Sequence, residues 1–136
     1  MIDLDTTADV SAITLDLGPF SVTEIMLDSI GVELIEMLAD IEPPVVIIDL
    51  SPTHHLGSKA VSILVNAWRT TRARKGRLAF CRLNPYSREV LRTLHLDRHW
   101  EVYDTREDAV RAMRASAEKS RQETAKNELD EPPGGR

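Results

Sequence analysis

The spacing of hydrophobic and polar positions changes several times along the chain, and each change marks an element. Residues 11–17 alternate, with Ile13, Leu15 and Leu17 on one side and Thr14 and Asp16 on the other, the pattern of a half-buried strand. Gly18-Pro19 ends it. Between residues 27 and 41, Leu27, Ile30, Leu34, Met37, Leu38 and Ile41 recur at intervals of three and four, while Glu33, Glu36 and Asp40 fall opposite. That spacing predicts a helix burying one stripe. Gly31 inside it costs about 1 kcal/mol relative to alanine, so packing rather than propensity must hold the helix. Pro43 and Pro44 stop it, and Val45-Val46-Ile47-Ile48 follows without alternation, as in a central strand covered on both faces.

The helical period returns at Ser58 and runs to about residue 74, with Ala60, Leu64, Ala67 and Thr71 in one stripe and Val61, Val65 and Trp68 widening it. Arg72, Arg74 and Lys75 place cations at its end and Gly76 follows. Residues 77–83 read as another strand. Asn84-Pro85 is a helix start, with the asparagine as cap and Val90, Leu91 and Leu94 as the buried stripe. Residues 100–103 form a short strand, and residues 105–108 cap a last helix packing through Ala109, Val110 and Met113. Strands alternating with helices predict one compact α/β domain over residues 10–115. Residues 1–9 are acidic and unpatterned, which predicts a flexible arm. Residues 116–136, rich in Glu, Lys, Gln and Asn, predict a disordered tail.

Composition narrows the class. With 136 residues, 42% of them hydrophobic, the chain can build one modest core. No apolar run approaches the roughly 20 residues of a membrane-spanning helix. The N-terminus lacks the features of a signal peptide, and the single Cys81 excludes an intrachain disulfide, so a soluble cytoplasmic protein is expected. Only 4% aromatic residues argues against a base-stacking surface for single-stranded nucleic acid. The net charge of −5 conceals an asymmetry: residues 1–58 hold eleven acidic and no basic side chains, and residues 59–115 hold thirteen basic and six acidic. Either two faces of opposite sign result, or the halves interleave and cancel; interleaving is the simpler expectation.

Candidate chemistry concentrates at the junction of the central strand and the second helix. Ser58 opens that helix, where a hydroxyl caps a free backbone N–H and where a phosphate is also well placed. The adjacent His54 and His55 have poor metal-ligand spacing and read as loop residues, and Cys81 reads as a buried structural thiol. A Ser58 nucleophile with one of these histidines as base lacks both a GxSxG elbow and an acid partner. No GxxxxGK[ST] or GxGxxG signals a nucleotide site, and no cofactor is expected. The cluster Arg69, Arg72, Arg74, Lys75 and Arg77 reads as a solvated helix end rather than a nucleic-acid contact.

The succession of motifs is more specific than any one of them. The strand 45–51, Leu56-Gly57-Ser58 opening a helix with Ile63-Leu64, residues 72–78, Leu83-Asn84-Pro85 with Val90-Leu91, Leu96-Asp97 and finally residues 102–109 together resemble the STAS family of anti-sigma-factor antagonists. The resemblance covers about residues 10 to 114. It implies a mixed sheet of four or five strands with about four helices mainly on one side, and no enzymatic activity. It further implies a partner, a serine protein kinase that is also the anti-sigma factor, which binds the unmodified protein and phosphorylates it at the position of Ser58. Leu56, Gly57, Ser58, Lys59 and Ser62, the surface around that serine, are the expected partner-binding residues. The family pattern reads Asp-Ser-Ser-Gly where this chain has Gly57-Ser58-Lys59-Ala60. A scaffold, or a cytosolic subunit of a lipid transporter, is the alternative role.

Overall fold

The computed structural model describes residues 2–7, 10–17 and 24–130. The turn expected at Gly18-Pro19 lies outside them. Five strands, β1 (Ile2–Thr7), β2 (Val10–Leu15), β3 (Val45–Asp49), β4 (Arg77–Cys81) and β5 (Glu101–Tyr103), form one sheet in the order β1-β2-β3-β4-β5. β1 is antiparallel to β2, and the other neighbours are parallel. Four helices complete the chain: α1 (Glu24–Asp40), α2 (Ser58–Ala73), α3 (Pro85–Thr93) and α4 (Arg106–Asp130), with a 3-10 turn at Leu96–Arg98.

Connection handedness explains the layers. Each parallel pair from β2 to β5 is joined by a crossover, and crossovers are almost always right-handed. Because the strands advance in one direction, three such crossovers stack their helices on the same face. α1, α2 and α3 accordingly bury Leu34, Leu38, Leu64 and Leu91 with Ile13, Leu15, Val46, Ile48, Leu78 and Phe80 of the sheet. Trp100 closes this core, its ring stacked on Phe80 at 4.6 Å. The opposite face would be left to water without α4, whose Ala109, Met113 and Ala117 cover Val10, Ala12, Val45, Ile47, Ala79 and Cys81.

Four expectations are corrected by this arrangement. Residues 116–130 belong to α4 rather than to a disordered tail: Ala117 is fully buried, and Arg77 donates to Ser116 Oγ at 2.8 Å and to the Ala112 carbonyl at 3.2 Å. Arg77 also holds Glu101 through both carboxylate oxygens, and Tyr103 donates to the same group at 2.8 Å. β2 is covered on both faces at Ser11 and Ala12, not half-buried throughout. Residues 2–7 form β1, where a flexible arm was expected. Ile2 and Leu4, opposite Leu15 and Ile13, take the α1 face, and Asp3 and Asp5 take the other. This alternation is too short and acidic to stand out without its partner strand. Leu94, expected in the buried stripe of α3, is 50% exposed.

Several local signals hold as read. Asn84 accepts from the Ser87 backbone N–H at 2.7 Å with Pro85 at the first helical position, and Thr105 accepts from Asp108 at 3.0 Å. After α2, Lys75 takes a left-handed φ of 60°. A Cβ on Gly76 would strike the Pro44 carbonyl oxygen and lie 2.9 Å from Thr71 Cγ2.

Strand order equal to chain order bears on the charge question only in part. The acidic β1, β2 and α1 lie together at one side of the sheet, but α4, from the basic part of the chain, packs across β2, β3 and β4, and its Arg106 reaches Asp5 of β1, so the signs interleave there. They meet along a seam of ion pairs: Lys59 with Asp28, Arg74 with Glu42, and Arg82 and Arg106 with Asp49.

Placing a charge where α4 packs tests the second layer. Ala117→Asp is expected to cost about 2–4 kcal/mol in urea unfolding, the cost of burying an unpaired polar group; an unchanged midpoint would return residue 117 to a tail.

Candidate functional site

The site is built on the carboxyl edge of the parallel strands, the edge at which open α/β sheets place ligand-binding loops. The loop from β3 to α2 is tied down along its length. It starts at Asp49, a carboxylate with no exposed surface. Arg82 donates to it at 2.6 and 3.0 Å, Arg106 at 3.1 Å, and the Ser51 backbone N–H at 2.9 Å. Arg106 also donates to Thr14 Oγ1 at 2.6 Å, joining β2, β3 and the start of α4. Arg82 has a left-handed φ of 56°, a conformation that costs a non-glycine residue about 1–2 kcal/mol and that the ion pair offsets. Burial acts to raise the Asp49 pKa, but the hydrogen bonds from Arg82, Ser51 and Arg106 outweigh it and hold the carboxyl below its ordinary value.

Further along, the buried Thr53 accepts from the Leu17 N–H at 2.9 Å and donates to the Leu15 carbonyl at 2.8 Å, binding the loop to the end of β2. Asn84 donates to the His54 carbonyl at 3.2 Å, and His55 stacks on Tyr86 at 5.7 Å. Leu56 is an apolar plug, only 3% exposed. A loop so anchored presents the next residue in a fixed frame.

That residue is Ser58, and its role differs from the expected cap. Gly57 occupies the N-cap position, with φ −81° and ψ 179°, and makes no side-chain cap bond; its carbonyl accepts from the Val61 N–H at 3.0 Å. Ser58 is therefore the first helical residue, one position too late to cap, and it is exposed. No acidic residue shares the first turn of α2. The free N–H groups of that turn and the helix dipole favour an anion there.

The five residues expected to meet a partner divide between two grooves. Leu56, Gly57 and Ser58 line a groove of about 600 Å³ between α2 and α3, completed by Val61, Tyr86 and Leu94. Lys59 and Ser62 line a separate groove of about 450 Å³ between α2 and α1. Lys59 forms an ion pair with Asp28 of α1, and Ser62 donates to the Ser58 carbonyl at 3.1 Å. Tyr86 and Leu94 escape the sequence reading because their exposure depends on how far α3 stands from α2. Cys81 is buried, and burial pushes its thiol pKa up to about 12, which leaves it unreactive. Among the described residues no cluster of His, Cys, Asp and Glu is arranged to hold a metal ion, and no helix is long and apolar enough to cross a membrane.

Two substitutions test this geometry. Asp49→Asn is expected to cost about 1.5–3 kcal/mol, as for hydrogen bonds to a charged group. Because the native Asp49 pKa is depressed below 3.8, its contribution is complete above that value and is lost as pH falls through the lower native one. Unfolding midpoints should therefore fall more steeply below about pH 4 in the wild type than in the variant. Gly57→Asp should stabilise the protein by a few tenths of a kcal/mol in urea unfolding, since the backbone suits an N-cap and a Cβ meets only the His55 ring, at 3.5 Å.

The STAS domain family model matches residues 7–109. An anti-sigma-factor antagonist (STAS) domain protein from Planctomyces limnophilus has 29% identity and a TM-score of 0.72, over 82% of this chain and 97% of that one. An anti-sigma factor antagonist from Mycobacterium paratuberculosis has 24% identity and a TM-score of 0.71, over 84% and 93%. The Bacillus cell fate determinant SpoIIAA in its phosphorylated form shares the fold at 18% identity and a TM-score of 0.60, over 82% and 98%. No curated protein matches the sequence. With the family model spanning most of its length, the chain belongs to the STAS domain family.

Proposed function

We propose that this chain is an anti-sigma-factor antagonist, a protein-binding module of the cytoplasm whose partner is a serine-kinase anti-sigma factor docking over Ser58. The observation that carries the reading is the exposed Ser58 at the first position of α2, on the rim of the groove between α2 and α3 and at the end of a loop anchored to three strands. The names of the similar structures support the same reading, as does the phosphorylated form in which one of them is described.

The chemistry is asymmetric in the way a switch requires. Ser58 Oγ attacks the γ-phosphorus of ATP, the bond to ADP breaks, and the hydroxyl proton passes to a base on the kinase. The product carries about −1.5 to −2 charge at neutral pH. Within the protein that charge meets the positive end of α2, so the fold tolerates it. Against a docked partner it introduces a hydrated dianion into a largely apolar groove whose one charged lining residue, Glu89, is also negative, which ejects the partner. No catalytic role is assigned to the chain itself.

A scaffold reading, in which Ser58 is never modified, draws its support from Gly57 and Lys59, where the family pattern is altered, and from the ion pair that ties Lys59 to Asp28 of α1. Two measurements separate these readings. Incubation with ATP and the serine-kinase anti-sigma factor of the same cell should add about 80 Da to the intact mass and leave Ser58→Ala unmodified. Ser58→Asp should abolish binding to that kinase while Ser58→Ala preserves it. Equal, mild effects of both substitutions would favour the scaffold.

A further inference from the structure

The groove on the other flank of α2 has features that the Ser58 switch does not use. α1 carries Glu24, Asp28, Glu33, Glu36 and Asp40 and no basic residue. It also bears Ile25, Met26 and Val32 at 79%, 53% and 60% exposure, half of the exposed large apolar side chains among the described residues. Ile25, Ser29, Val32 and Glu36 follow one another at helical spacing, so apolar and acidic groups share one exposed stripe. Beside it lies the groove of about 450 Å³, floored by Leu27, Ile35 and Ile63. At Gly31 the two helices approach closely enough that a Cβ would lie 3.3 Å from Ile63 Cγ1. Its one cation, Lys59, is paired with Asp28, so the rim remains acidic.

We infer that the α1–α2 groove is a second docking surface, for a basic amphipathic helix of a protein partner, and that it operates independently of the state of Ser58. The occupant follows from charge and shape. An open apolar trough along a helix accepts the apolar stripe of another helix, and Asp28, Glu33 and Glu36 meet lysines or arginines beside that stripe. Nucleic acid and anionic membrane are repelled by the same carboxylates. Independence follows from position: Ser58 and Val61 face α3, whereas Lys59, Ser62 and Asn66 face α1. A partner bound here would stay tethered when phosphate clears the other groove, raising the effective concentration for rebinding.

The test uses the full chain and a labelled peptide of about 18 residues, or about five helical turns, with leucines at helical spacing and lysines elsewhere. One control replaces lysine by glutamate; the other keeps the composition but scatters the leucines around the helix. Micromolar binding of the first peptide alone is expected, with amide NMR shifts centred on Gly31, Val32, Ser62 and Asn66. Val32→Asn and Glu36→Lys, both at exposed positions, should each weaken it roughly tenfold with unchanged unfolding midpoints, and Ser58→Asp should alter it less than about twofold. Equal binding of the scattered peptide, shifts centred on Tyr86 and Leu94, or indifference to both α1 substitutions would overturn the proposal. None of these outcomes depends on whether Ser58 is phosphorylated.

Discussion

The right-handedness of the three crossovers, acting on a sheet whose spatial order equals its chain order, sets the rest of the molecule. It puts α1, α2 and α3 on one face and obliges α4 to cover the other. It keeps the acidic β1, β2 and α1 together at one side of the sheet, because no later strand inserts between earlier ones. It also brings the carboxyl ends of β2, β3 and β4 to a single edge, where the site forms. The grooves flanking α2 are the seams between neighbouring crossover helices, and the one beside α1 has an acidic rim because α1 carries no basic residue.

Within that frame, Asp49 links the fold to the site. Burying a carboxylate is costly unless it is fully bonded, and here two arginines from distant segments and a backbone N–H complete it. The same group fixes where the β3–α2 loop begins, and Thr53 and Leu56 fix its path to Ser58. A serine hydroxyl presented from so constrained a loop is suited to recognition by an enzyme, and its place at the start of a helix lets it carry added negative charge without unfolding its surroundings.

Much of this was legible in the sequence. The periods of α1 and α2, the β-branched run of β3, the Asn84-Pro85 start and the Gly76 stop correspond to what the structure contains, because each is decided locally or by a single buried face. What escaped depends on distant partners. β1 is a strand only through its pairing with β2, and the extension of α4 depends on an apolar sheet face that composition alone does not reveal. The Asp49 cluster joins residues 33 and 57 positions apart, so no local pattern announces it. At the site, the position of Ser58 was readable, and the capping role expected of it is not what the structure shows. A shift of one residue at a helix start, with Gly57 taking the cap position, separates a capping hydroxyl from an exposed one. The division of the five expected contact residues between two grooves likewise requires knowing which helix lies on each side of α2.

Hydrogen exchange of the full chain, alone and with the serine-kinase anti-sigma factor of the same cell, tests the central claim most directly, that a partner docks over Ser58. Amides of residues 57–62 and 86–94 should slow in the complex, and the slowing should vanish when Ser58 is phosphorylated. A complex that leaves both segments unchanged and protects only the β1 or β5 edge would contradict it.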